Sequence, residues 1–211
     1  MTGVSGNTTS MTYRKEIELV FDPSSFRCQA SKVKHAKPAR IDLWYIGAAR
    51  EINPVPVTPE KEFFLQSIRD HVRSLSQAQT SIKGLVSVVS TSWNKATMVI
   101  NDIRLLNVSC PTEVTKTSDS SIAIRSTLLI APLATKVSLV INLESKSGES
   151  GIDILVKPTA SVIYGERFNE AKISEQLCTK FGEEVEVDGE RESWASVVFD
   201  LGEKLLARGR K

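Results

Sequence analysis

Apolar residues recur along this chain at two spacings, and the place where the spacing changes divides it. Over 79–106, Ile82, Leu85, Val89, Trp93, Ala96, Ile100 and Ile103 step by three or four positions, the period of one buried helix face. About 28 residues at 1.5 Å each predict a helix about 42 Å long. Gly84 weakens it by about 1 kcal/mol relative to alanine. Beyond this stretch the period falls to two. Val137, Leu139, Ile141 and Leu143 alternate with Ser138, Val140, Asn142 and Glu144, as in an antiparallel strand with one covered face. Strands are predicted over 107–115, 121–131, 136–145 and 152–164, joined as a meander by turn-forming residues around Asp119, Pro132 and Gly148. Pro158, which cannot donate to a ladder, places the fourth strand at a sheet edge or a bulge.

The helical period then returns twice. Asn169 is a good N-cap for a helix carrying Ile173, Leu177 and Phe181 and ending at Gly182, and Ser193 caps a last one carrying Trp194, Val197, Val198, Leu201 and Leu205. The predicted order from residue 79 onward is α-β-β-β-β-α-α.

The first part of the chain reads as strands followed by a helix. One strand is predicted over 12–21, where Ile17, Leu19 and Phe21 share a face, and a second over 41–46, with Ile41, Leu43 and Tyr45 on one side and Asp42 and Trp44 on the other. Trp44 is therefore a candidate exposed aromatic. Thr58 as N-cap, Pro59 at the first helical position and Glu60 and Glu62 in the first turn start a helix whose stripe is Phe64, Leu65, Ile68, Val72 and Leu75. This is the tail of the plan seen from residue 79 onward. Two related domains are predicted, a partial one over 1–78 and a complete one over 79–211. The first domain's opening helix and at least one strand are expected before Met1, which makes the chain a fragment.

Composition narrows the function. With 211 residues, 41% of them hydrophobic, the chain supports a packed core. Its 27 basic and 25 acidic side chains leave a net charge of +2, too balanced for a protein devoted to a phosphate backbone. The charge is uneven, however. Arg27, Lys32, Lys34, Lys37 and Arg40 occupy an acid-free loop, and Glu183, Glu184, Glu186, Asp188, Glu190 and Glu192 crowd another. The basic loop suits an acidic protein partner better than nucleic acid, because neither interleaved aromatics nor a recognition helix accompany it. Cys28, Cys110 and Cys178 are odd in number and far apart, which fits a reducing compartment rather than a disulfide framework or zinc site. No apolar run approaches the ~18 residues of a membrane span.

Catalytic signatures are missing from the sequence. The two histidines, His35 and His71, read as surface residues, and neither a Gly-x-Ser-x-Gly elbow nor a glycine-rich phosphate loop occurs. Strands followed by two helices resemble a ubiquitin-conjugating enzyme, but the His-Pro-Asn motif that precedes its nucleophile does not occur. Cys110 and Cys178 therefore read as small packing residues, and Trp93 and Trp194 as core. No metal, cofactor or small-molecule substrate is indicated.

The strings YRKEIELVFDPSSF (13–26), IDLWYIG (41–47), FFLQSIRDHVRSL (63–75), WNKA (93–96), TKTSDSSIAIRSTLL (115–129), VIYGERFNE (162–170) and ARGRK (207–211) resemble the C-terminal region of the fungal outer-kinetochore scaffold of the blinkin, or kinetochore-null, family in the KMN network. The resemblance spans nearly the whole chain. It implies an α+β fold of tandem RWD domains, each an antiparallel meander packed against helices, related to ubiquitin-conjugating enzymes but lacking their catalysis. It further implies a nuclear, centromeric protein-interaction module. That module would anchor the scaffold to the four-subunit MIND complex through the tail of its Nsl subunit, beside a coiled coil that takes a Zwint-like partner, in chromosome segregation and checkpoint signalling. Two departures stand out: the proline-rich turn of RWD domains has no counterpart around Tyr164-Gly165-Glu166-Arg167, and no binding motif transfers residue by residue.

Exposure arguments supply the candidate site. The Pro158-bearing edge offers Ile154 and Val156 to an incoming strand. Trp44 offers an aromatic surface, and Arg69, Lys95 and Arg104 lie off the apolar stripes, where they can meet acidic groups of a peptide. The expected site is a groove between the two lobes. The alternatives are a ubiquitin-pathway protein and a nucleic-acid binder using the basic loop.

Overall fold

The computed structural model describes residues 2–5, 8–23, 41–46, 57–75, 81–182 and 192–209. The basic loop with His35 and Cys28, and the acidic loop as far as residue 191, lie outside them. The chain divides into two compact units, one formed by Met1–Trp93 with Ser147–Asp153 and the other by Asn94–Lys146 with Ile154–Lys211. Both are α+β, as expected, and each described sheet is a four-stranded meander in chain order.

In the first unit the strands are β1 (Thr2–Ser5), β2 (Thr8–Tyr13), β3 (Ile17–Phe21) and β4 (Ile41–Tyr45). The single strand expected over 12–21 is instead two, because the chain reverses at Arg14 and Lys15, whose φ values are 50° and 59°. The Glu16 amide donates to the Tyr13 carbonyl at 3.0 Å, closing a tight turn with positive φ at both central positions, which Asn-Gly usually provides. Here two cations stand in their place, so the turn signal is hidden. The polar start of the chain, not expected to be strand, forms β1 and the first part of β2. Ile17, Leu19, Phe21, Ile41 and Leu43 are buried beneath α1 (Pro59–Ser74), which covers them with Phe63, Phe64, Ile68 and Val72. Thr58 precedes α1 with extended φ and ψ, but its hydroxyl makes no capping bond. His71 is buried, contrary to the surface position expected of it.

Helix α2 (Ile82–Ser109) carries the long stripe: Leu85, Val89, Trp93, Ala96, Ile100 and Ile103 are all buried, whereas Ile82 is 36% exposed at its first turn. Leu106 and Cys110 continue the stripe, so the helix runs through 107–109, where a strand was expected, and Pro111 stops it. In the second unit follow β5 (Thr112–Ser118), β6 (Ser121–Ile130), β7 (Thr135–Ser147), β8 (Ile152–Tyr164), α3 (Glu170–Gly182) and α4 (Trp194–Gly209). Asn169 Oδ1 accepts from the Lys172 amide at 3.0 Å and Ser193 Oγ from the Ser196 amide at 3.2 Å, so both predicted caps form. Buried Asp102 on α2 adds a second anchor for α4 by accepting from the Trp194 amide at 3.2 Å. Phe181 and Trp194 stack at 5.2 Å and join the two last helices.

Candidate protein-docking site

Alternation along β4 sends Leu43 into the core and Trp44 outward, where 53% of its surface is exposed. β4 is the last strand of its sheet, and α1 closes its free edge. Arg69 Nη2 donates to the Leu43 carbonyl at 2.8 Å, its Nη1 donates to Gln66 Oε1 at 2.8 Å, and the guanidinium carbon stands 5.7 Å from the centre of the Trp44 ring. One turn further along α1, Arg73 pairs with Asp42 at 2.8 Å. Two arginines four residues apart thus reach round the edge to two residues spaced by two on the strand's outer side. Cross-strand, Trp44 stands opposite Glu18. Tyr45 is held in turn by Lys61, whose Nζ donates to its hydroxyl at 3.0 Å.

The other expected surface is the edge of β8, the terminal strand of the second sheet. Its even-numbered residues turn their backbone polar groups outward, as three contacts with α3 establish. Cys178 Sγ lies 3.6 Å from the Pro158 carbonyl, the Ala160 amide donates to Ser174 Oγ at 3.0 Å, and the Val162 amide donates to Glu170 Oε1 at 2.7 Å. At the other end, in the first unit, the Ile152 amide donates to Ser92 Oγ at 3.1 Å. The edge expected to be open over 152–164 is therefore closed at both ends. Ile154 and Val156, half-buried between those ends, have no such contact among the described residues.

Of the other candidates, Arg104 is exposed and Lys95 half-exposed on α2, in the second unit, whereas Trp44 and Arg69 lie in the first. Arg73, Gln66, Ser174 and Glu170 were not singled out from sequence. The four-residue spacing of Arg69 and Arg73 along the predicted helix was the available signal.

No group of His, Cys, Asp and Glu able to hold a metal occurs among the described residues. Cys110 is buried and its thiol pKa is raised by that burial, which disfavours the nucleophilic thiolate. Cys178, expected to be packed, is exposed. Among the described residues no helix is long and apolar enough to cross a membrane.

Meandering antiparallel sheets backed by helices make an α+β protein, consistent with an RWD-type fold. Residues 1–100, which hold β1 to β4, α1 and the larger part of α2, match the family described as Knl1 RWD C-terminal domain. That stretch, just under half of the chain, is similar to Knl1 RWD C-terminal domains, and the match suggests a kinetochore protein-interaction module. No curated protein and no solved structure gives a match.

Proposed function

We propose that this chain anchors a kinetochore scaffold to the MIND complex by holding the C-terminal tail of its Nsl subunit, and that it works in the nucleus at the centromere in chromosome segregation and checkpoint signalling. On this reading residues 1–78 and 79–211 are RWD domains in tandem, and a Zwint-like coiled coil binds nearby. The observation that carries it is Trp44, a large aromatic 53% exposed yet held by Arg69. Restrained, amphipathic aromatics are the residues that dominate binding energy at protein interfaces.

Calorimetry of the purified chain against MIND complex, with and without the Nsl tail, tests the proposal. Binding that needs the tail and weakens about tenfold or more in Trp44→Ala is the expected result. Equal binding of tailless complex sinks it.

A further inference from the structure

We propose that Ile154 and Val156 form a short main-chain pairing site for an extended segment of the docked partner; this rests on the docking reading above. The outward residues of β8 are the even-numbered ones from 152 to 164. Ser92 has taken the amide of 152, and Ser174 and Glu170 have taken those of 160 and 162. Position 158 is proline, without an N–H, and its carbonyl faces the Cys178 thiol. At 154 and 156 both the amide and the carbonyl have no partner among the described residues on this side. An antiparallel residue placed opposite each of them exchanges both of its backbone hydrogen bonds.

The bracketing defines what fits. A partner segment pairs over about three residues, and neither of its two pairing residues can be proline. Their side chains fall on the same face as those of Ile154 and Val156, both half-buried and apolar, so apolar residues suit both positions. The residue between them points to the side of Leu155, which is 40% exposed between Asp153 and Lys157, and tolerates polarity. The site therefore reads an apolar-x-apolar segment. A second copy of the chain is a poor occupant, because so short an edge buries far less than the roughly 1,200 Å² of a stable interface. A tail tethered by contacts elsewhere needs no such area.

Val156→Pro removes one outward amide at a position with the same orientation as Pro158, which β8 already accommodates, and Val156→Thr keeps the amide while altering the side chain. Against purified MIND complex, calorimetry is expected to find the proline variant about tenfold weaker and the threonine variant within about twofold of wild type. Undiminished affinity of a folded proline variant overturns the pairing site and leaves the docking reading standing. Failure of the wild-type chain to bind overturns both. If the proline variant does not fold, hydrogen exchange on the wild-type chain decides: slowed exchange of the 154 and 156 amides in the complex supports the site, and unchanged exchange removes it.

Discussion

Arg69 covers one face of Trp44 at 5.7 Å while binding the carbonyl of Leu43, the residue that precedes the tryptophan, at 2.8 Å. One guanidinium thus blocks the β4 edge against unwanted pairing and fixes the ring that β4 presents. An arginine that on sequence grounds was free to meet acidic groups of a peptide has most of its geometry committed within its own unit.

Reversing its charge should therefore disturb more than a binding surface. Arg69→Ala is expected to cost about 1–2 kcal/mol of stability through the lost carbonyl bond and ring contact. Arg69→Lys, which lacks the planar fork, should recover only part of it. A double-mutant cycle with Trp44→Ala, read by urea denaturation, should give a coupling of about 0.5–1 kcal/mol. Strict additivity would show that the two side chains do not interact.

Trp93 is both core and anchor. Its ring is buried, and its Nε1 donates to Glu16 Oε2 at 2.8 Å beside the Arg14-Lys15 turn. Trp93→Ala should cost about 3–5 kcal/mol, and Trp93→Phe, which keeps a ring but loses the donor, about 1–3 kcal/mol. A melting temperature unchanged in the alanine variant would place the buried face of α2 elsewhere.

Gly151 has φ +149°, and a Cβ there would stand 2.4 Å from Ser92 Oγ. Because Ser92 is itself fully buried and holds the Ile152 amide, it has little room to yield. Gly151→Ala is expected to lose about 1–3 kcal/mol, whereas Gly148→Ala meets only the exposed, flexible Asp153 carboxylate and should cost less. Thermal unfolding of the two variants side by side checks the contrast, and equal losses would contradict it.

Acid should weaken the first unit through His71. Burial holds its imidazole below its ordinary pKa, against a smaller opposing pull from Asp153, and neither ring nitrogen has a partner among the described residues. The unfolded chain, with a histidine pKa of about 6.5, then binds the proton more readily than the folded one. Stability is full above that value and falls as pH drops below it. Urea midpoints measured from pH 7.5 to 5 should decline more steeply in wild type than in His71→Gln. Parallel curves would assign the acid sensitivity to other groups.

Much of the fold was legible because periodicity reports burial directly. The stripe on α2, the alternation in β3, β4 and β7, and the caps Asn169 and Ser193 all depend on residues close in sequence. The β2–β3 turn was not legible, since Arg14 and Lys15 lack the glycine or asparagine that announces positive φ. Nor was the end of α2, where Leu106 and Cys110 suit a helix stripe and a strand equally well until packing decides.

What the sequence determined by itself is which positions are apolar and at what period, and hence the order of strands and helices, the outward side of Trp44 and the special place of Pro158. Tertiary structure alone decided who occupies the edges at β4 and β8. Arg69 reaches Leu43 across 26 positions and Ser92 reaches Ile152 across 60. A hydrogen bond requires its two groups within about 3 Å in space, whatever their distance along the chain. Local pattern could mark β8 as an edge; only the folded arrangement of α3 and Ser92 closes both of its ends and leaves Ile154 and Val156 between them.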